Sequence, residues 1–155
     1  MMVFNLNKFK KLLLSIAIPL IAGFIGYLLS GGNTTYYFIN KPSFSPPAIL
    51  FPIVWTILYI LMGISYYIIS TKNNNETALK VYYLQLIVNG LWSFLFFRLN
   101  LFLISALWII LLIVLVVYMI ITFFKINKTA GLLQLPYLAW LIFACILNFS
   151  IYFLN

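Results

Sequence analysis

The sequence predicts an all-α integral membrane protein, a bundle of five transmembrane helices. Hydrophobic residues make up 66% of the 155 residues, charged residues make up 6%, and the mean hydropathy is +1.15. A soluble globular domain carries about 25% charged residues, so that class is excluded. A bilayer core about 30 Å thick needs about 20 apolar residues in helical form, and five uncharged runs suit that length. They give spans near 12–30, 46–69, 79–97, 101–124 and 132–154.

The pattern within these runs favours helices over β-strands. Strands of a membrane barrel have about 9–11 residues of alternating polarity, whereas the run LFLISALWIILLIVLVVYMIITFF at 101–124 does not alternate. A helix also pairs its own backbone N–H and C=O groups, which hydrocarbon requires. The connections after the second, third and fourth spans are short, so we expect antiparallel neighbours within a single domain, 1–155.

The first span follows a lysine-bearing segment and could be taken for a secretory signal peptide. The apolar part of a signal peptide has about 7–15 residues and ends at a small-residue cleavage site. The run LLLSIAIPLIAGFIGYLLS has 19 residues and leads into Gly-Gly, which favours a retained span. Gly23 and Gly26 in this run predict close helix packing, because small residues let backbones approach.

A long loop, residues 31–45, precedes the second span and leads into Pro46-Pro47. Connections of this length are usually functional or disordered, and the aromatic residues of this one favour packing over the mouth of the bundle. Pro47 suits a helix start, where N–H groups have no helical partner. We expect Pro52 either to kink the second span or to mark a later start of the helix.

The basic residues lie at the ends of the spans and give a net charge of +8. This placement is typical of topology signals beside lipid headgroups and not of a nucleic-acid-binding face, so we predict no nucleic-acid partner. With five spans, seven lysines share the side of the N-terminus, and Lys41 and Arg98 lie on the other side. The positive-inside rule then predicts a cytoplasmic N-terminus and an outside C-terminus.

The residue types that carry most catalytic and metal chemistry are missing from the spans. The chain has no histidine, its single acid Glu76 lies in a polar loop, and Cys145 is its one cysteine. Hydrolases, metalloenzymes and proton-coupled carriers need such groups at their sites. The sequence therefore disfavours these classes and predicts no metal, no cofactor and no internal disulfide.

Three spans carry aromatic or amide residues along one face when projected at about 100° per residue. Two explanations remain open. Such stripes fill the interior of many bundles, with amides in interhelical hydrogen bonds, but an aromatic wall with a few amides is also typical of a ligand pocket. The stripes are Gln85, Asn89, Trp92 and Phe96; Trp55, Tyr59, Met62 and Tyr66; and Trp140, Ala144, Leu147 and Ile151.

Four segments carry a family resemblance: the glycine-bearing first span, KPSFSPPAILFPIVWTILYILMGIS at 41–65, QLIVNGLWSFLFFRLN at 85–100 and PYLAWLIFACILNFSIYFLN at 136–155. The chain resembles the tryptophan-rich sensory proteins of bacteria and is similar to the mitochondrial translocator protein, or peripheral-type benzodiazepine receptor. This resemblance implies a five-helix bundle in a bacterial cell membrane, commonly a homodimer, with a ligand cavity open toward the first loop.

The resemblance implies that the cavity binds porphyrin-type tetrapyrroles and benzodiazepine-site ligands, in a sensory or transport role. An alternative that it implies is light-dependent oxidative degradation of protoporphyrin IX, with Trp55 and Trp140 as the catalytic pair. A third hypothesis is a scaffold without a pocket. Lys41 is expected to meet the porphyrin propionates. By motif, the ligand-binding residues are Tyr36, Pro46, Trp55, Tyr59, Asn89, Trp92, Trp140 and Ala144.

The chain departs from the family pattern at two aromatic positions. Phe44 stands where the KPS motif is usually followed by tryptophan, and Tyr152 replaces the tryptophan of the animal C-terminal motif. The residues after Tyr152 lack the basic end of the proposed cholesterol motif. The resemblance therefore does not predict cholesterol as the natural ligand.

Overall fold

The computed structural model describes residues 6–32 and 34–155, and all regular structure in these ranges is helical. Within these ranges, five segments are long and apolar enough to cross a membrane. A short helix at Lys128–Leu132 and the helix that follows it form one of these segments. The predicted fold class, an all-α membrane protein with five spans, is confirmed. The helices are α1 (Leu6–Leu29), α2 (Leu50–Ser70), α3 (Glu76–Ser93), α4 (Phe102–Ile126), α5 (Lys128–Leu132) and α6 (Leu135–Leu154).

The helices pack as a bundle in which α1 lies along α2 and α3, and α4 lies against α3 and α6. The loop before α2, the end of α3 and the last residue of the chain meet at one end, which we call the loop end. There the Thr35 hydroxyl donates to the Phe97 carbonyl at 2.8 Å, and Asn155 Nδ2 donates to the Asn40 carbonyl at 3.0 Å. The seven lysines outside this region lie at or near the opposite end.

Helix α2 begins at Leu50, four residues after the predicted start at 46. Residues 46 and 47 are irregular and 48–49 form a turn, in which the Leu50 N–H donates to the Pro47 carbonyl at 2.9 Å. Pro52 therefore lies in the first helical turn, where the N–H that it lacks would have had no helical partner. Of the two expectations for Pro52, the late helix start is the one observed.

Helices α1 and α3 begin earlier than the apolar runs, at Leu6 and Glu76 and not at 12 and 79. Hydropathy marks where a helix meets hydrocarbon, whereas the helical backbone continues through flanking lysines into the headgroup region. The apolar run therefore underestimates the length of these helices.

Glycines bring α1 close to its neighbours. Gly63 of α2 faces the α1 backbone so closely that a Cβ built on it would lie 2.9 Å from the Ile16 nitrogen. Gly26 faces Gly90 of α3, and its Cβ would lie 3.4 Å from the Gly90 Cα. Gly26 therefore lies in helix packing as expected, whereas Gly23 faces the Tyr59 ring.

Helix α3 continues beyond Ser93 as a π-helical turn over Phe94–Arg98, where the Leu99 N–H donates to the Phe94 carbonyl at 3.1 Å. Single π turns of this kind occur frequently at functional sites. This one sets Phe96 and Phe97 side by side at the loop end, with ring centroids 4.7 Å apart. Phe96 is buried, and Phe97 faces the space that α1 and α2 enclose.

Candidate ligand-binding site

A cavity of about 410 Å³ lies at the loop end, between α1, α2 and the end of α3. Pockets for small ligands measure about 300–1,000 Å³, so its size suits such a molecule. None of the described residues that line it is charged. On the side between α1 and α2, the lining residues Phe24, Tyr27 and Thr56 are also exposed on the surface of the bundle. The cavity is therefore open on a face that a membrane would cover.

Four of the eight predicted ligand-binding residues line this cavity: Tyr36, Trp55, Tyr59 and Trp92. The rings of Trp55 and Tyr59 are stacked, with centroids 5.4 Å apart and planes inclined by 28°. The four come from three different elements, the loop, α2 and α3, so the fold brings them together from distant parts of the chain. That they bind a ligand stays a prediction.

Asn89 and Pro46 lie behind this wall and do not line the cavity. Asn89 is 3% exposed, and its Nδ2 donates to Tyr59 Oη at 3.2 Å. The Pro46 carbonyl accepts a hydrogen bond from Tyr36 Oη at 2.9 Å. Both residues hold a ring that does face the cavity, so the structure places them in positioning roles.

Trp140 and Ala144 of α6 lie beyond Phe51 and do not line the large cavity either. The ring centroids of Phe51 and Trp140 are 6.0 Å apart. Ala144 borders a second cavity of only about 20 Å³, together with Leu147 and Asn148. Of the eight predicted residues, four therefore line the large cavity, Asn89 and Pro46 support it, Ala144 borders the second cavity, and Trp140 lines neither.

Asn148 fixes the orientation of Trp92. Its Oδ1 accepts hydrogen bonds from Trp92 Nε1 at 3.1 Å and from the Ser105 hydroxyl at 3.0 Å, while its Nδ2 donates to the Phe102 carbonyl at 2.9 Å. Buried indole N–H groups need such a partner. The polar edge of Trp92 is thus turned toward α6. The predicted stripe of Gln85, Asn89, Trp92 and Phe96 is buried along its whole length.

Tyr36 anchors the loop over the cavity. The ring is 5% exposed, burial raises the pKa of its phenol above the ordinary value, and the hydroxyl donates to the Pro46 carbonyl. Lys41 Nζ donates to the Tyr36 carbonyl at 2.7 Å and lies 4.7 Å from the ring centroid, within cation–π range. The ammonium group of Lys41 is therefore held at the loop. Its contact with propionates stays a prediction.

The loop is also joined to the C-terminal residue by a reciprocal pair of amides, which we call the Asn40–Asn155 clasp. The Asn40 N–H donates to Asn155 Oδ1 at 2.9 Å, and Asn155 Nδ2 donates back to the Asn40 carbonyl at 3.0 Å. Asn40 Nδ2 also reaches the Leu154 carbonyl at 3.2 Å. Three hydrogen bonds thus tie the loop to Leu154, the last residue of α6, and to Asn155 after it.

We expect Asn155→Ala to speed hydrogen exchange at the Asn40 backbone amide by about fivefold, because one exposed hydrogen bond contributes about 1 kcal/mol. Exchange measured by NMR or mass spectrometry checks this without any ligand. Ser150→Ala is a matched control, since the Ser150 hydroxyl bonds only to the Ile146 carbonyl of its own helix. Equal exchange rates in the two variants would show that the clasp does not hold the loop.

Sequence reasoning missed the contribution of α1 and two phenylalanines to the cavity. Leu20, Phe24 and Tyr27 of α1 line it, as do Phe51 and Phe97. The sequence predicts aromatic or amide stripes on the second, third and fifth spans, and glycine-mediated packing for α1. The available signal was Gly23, which leaves room for the Tyr59 ring beside α1.

Comparison with known proteins gives one consistent result. The model of the TspO/MBR family matches residues 15–154. A tryptophan-rich protein TspO of Archaeoglobus fulgidus is 41% identical over 149 residues, covering 94% of this chain and 97% of its own. A protein of the same name from Chlorobaculum tepidum is 37% identical over 155 residues, covering 96% of this chain and 98% of its own. The protein CrtK of Rhodobacter capsulatus is 38% identical over 138 residues, covering 86% of each chain.

The match extends over nearly all of the chain. The residues that line the cavity, from Leu20 to Phe97, all lie within it. With five apolar helices and this similarity, the chain is an integral membrane protein that belongs to the TspO/MBR family.

Proposed function

We propose that the cavity binds flat, apolar aromatic molecules, with porphyrin-type tetrapyrroles and benzodiazepine-site ligands as the classes to test. The observation that carries this proposal is the stacked pair Trp55 and Tyr59 in the wall of an uncharged cavity of about 410 Å³. Aromatic side chains offer large, rigid surfaces to planar partners. In the bilayer, such a protein would sense or translocate its ligand.

The opening between α1 and α2 supports an apolar ligand. Phe24 and Tyr27 are 61% and 48% exposed, and both line the cavity. A molecule dissolved in lipid would meet aromatic rings at this opening without crossing a charged group. A macrocycle larger than the cavity could remain partly outside it on this side.

Degradation of protoporphyrin IX by Trp55 and Trp140 is the alternative, and it has less support. Trp55 lines the cavity, but Trp140 lies on the far side of Phe51. A ligand in the large cavity would touch only the first of the two indoles. Binding without chemical change therefore fits the geometry better.

We further propose that the protein lies in a bacterial cell membrane as a homodimer, with a cytoplasmic N-terminus. The support for this orientation is the distribution of charge: seven lysines lie at or near one end of the bundle, and Lys41 and Arg98 lie at the loop end. The cavity would then be near the outer surface.

Titration with protoporphyrin IX in the dark tests the proposed function. We expect saturable quenching of tryptophan fluorescence, because a porphyrin in the cavity would lie against Trp55 and Trp92. In a Trp55→Phe, Trp92→Phe double variant, the dissociation constant read from the porphyrin absorbance should rise, because two rings of the cavity wall are changed. Quenching that does not saturate in the wild type, or an unchanged dissociation constant in the double variant, would contradict binding in this cavity.

A further inference from the structure

Four buried polar side chains meet in the interior of the bundle, away from both cavities. Tyr82 and Gln85 of α3 and Gln134, the N-cap of α6, are 0% exposed, and Tyr137 of α6 is 1% exposed. Tyr137 Oη donates to Gln85 Oε1 at 3.0 Å, so side chains of the two helices are joined at this point. None of the four residues lines either cavity. We call them the polar seam.

The spacing of these residues places Tyr82 and Gln134 at a similar level of the bundle. Helices α3 and α6 both run toward the loop end. Tyr82 precedes Gln85 by three residues, and Gln134 precedes Tyr137 by three, so each pair shares one face of its helix. The helical bond from the Leu138 N–H to the Gln134 carbonyl, at 3.1 Å, shows that this spacing holds at the N-cap. Tyr82 and Gln134 therefore follow the Gln85–Tyr137 bond by one turn, away from the loop end.

The polar seam concentrates unpaired polar atoms. Within residues 6–32 and 34–155, six buried side-chain nitrogen and oxygen atoms have no hydrogen-bond partner. Four of the six belong to the seam: Tyr82 Oη, Gln85 Nε2, and both Nε2 and Oε1 of Gln134. An unpaired polar group inside a membrane protein is costly, because neither lipid nor an apolar side chain can bond to it. Buried polar atoms normally have a partner, so four together indicate a bound one.

The unpaired atoms include both donors and acceptors, which decides the chemistry of that partner. The nitrogens of Gln85 and Gln134 only donate, Gln134 Oε1 only accepts, and Tyr82 Oη can do either. A metal cation would leave the two nitrogens unpaired, and an anion would leave Gln134 Oε1 unpaired. A buried water molecule makes about three hydrogen bonds and both donates and accepts. Water is the ligand that matches the seam.

We propose that the polar seam is an internal water site, in which water bridges Tyr82, Gln85 and Gln134. The bridge joins α3 to the start of α6 next to the direct bond between Gln85 and Tyr137. Because the seam lies apart from the cavities, its water does not depend on any ligand bound there. Removing one side chain of the seam deprives the others of a shared partner.

Gln134→Met tests this proposal through the sign of its effect on stability. Methionine keeps an unbranched side chain of similar length and removes the amide. With bridging water, this change leaves Tyr82 and Gln85 incompletely paired, so the melting temperature in micelles should fall by about 4 °C. Without water, the change removes an unpaired buried amide, and the melting temperature should rise. A rise, or no change, would overturn the proposal.

Leu141→Met is the matched control, because Leu141 lies on the same helix, is 2% exposed and has an apolar side chain. It should lower the melting temperature less than Gln134→Met does, since it removes no polar group. Tyr82→Phe added to Gln134→Met should cost little more, because both changes remove bonds to the same water. Equal falls in Gln134→Met and the control, or fully additive losses in the double variant, would contradict a shared water.

X-ray hydroxyl-radical footprinting detects the water itself and does not depend on stability. Radicals formed from bound water oxidise the nearest side chains, so Tyr137 should be oxidised although it is buried. In the Tyr82→Phe, Gln134→Met double variant, oxidation of Tyr137 should decrease several-fold. A Tyr137 that resists oxidation in the wild type, or that is oxidised equally in the double variant, would show that the seam holds no such water.

Discussion

Replacement of Gly63 by alanine is expected to lower the free energy of unfolding by about 3 kcal/mol, the upper part of the range for overpacked interiors. The added Cβ would lie 2.9 Å from both the Ile16 nitrogen and the Ser15 carbonyl oxygen. These are backbone atoms of a helix, so no change of rotamer can relieve the overlap. Helix α1 would have to move away from α2, and the cavity between them would change shape.

Gly90→Ala is the matched control, because a Cβ at Gly90 would meet nothing within 4 Å. Alanine in a helix is favoured over glycine by about 1 kcal/mol, so this variant should be as stable as the wild type or more so. Unfolding in mixed micelles, followed by circular dichroism, measures both. Equal losses of stability in the two variants would show that the close contact between α1 and α2 at Gly63 does not cause the loss.

Trp55→Ala is expected to weaken protoporphyrin IX binding by about 30-fold, which corresponds to about 2 kcal/mol, the size of effect found for buried aromatic residues at binding hot spots. The indole forms one layer of the stack with Tyr59 and also meets Tyr137 edge-on, with centroids 6.1 Å apart. Its loss would remove a flat face of the cavity wall. Absorbance of the bound porphyrin gives the dissociation constant without relying on tryptophan emission.

Trp108→Ala provides the comparison, since it also removes one indole but from outside the cavity. Trp108 lies between α3 and α4, where its Nε1 donates to the Val88 carbonyl at 2.8 Å. Porphyrin affinity should stay close to the wild-type value in this variant. If both variants lose affinity equally, the effect comes from a weakened bundle. If Trp55→Ala binds as the wild type does, the cavity wall is wrongly assigned.

The number and type of the helices could be predicted because they follow from one physical requirement. Hydrocarbon demands paired backbone groups over about 30 Å, and the lengths of the apolar runs encode this directly. The face of α3 that points into the bundle could also be predicted from its stripe. Asn89 and Trp92 on that stripe are buried as expected. Both signals are local in the sequence.

The composition of the cavity could not be predicted in the same way. A stripe gives the direction in which a residue points from its own helix, but it does not give the side chain of another element that packs against that residue. Trp140 lies on the stripe of α6, yet Phe51 from the first turn of α2 stands between it and the large cavity. The late start of α2, at Leu50, puts Phe51 at this point. That position depends on loop turns that hydropathy does not reveal.

Three of the polar side chains in the cavity wall are engaged by the protein itself. Tyr36 Oη donates to Pro46, Trp92 Nε1 donates to Asn148, and Tyr59 Oη accepts from Asn89. Much of the surface that remains for a ligand is aromatic ring. Unrelated planar compounds should therefore displace one another from this protein, and added salt should scarcely alter their affinity, because shape and dispersion would decide which of them stays bound.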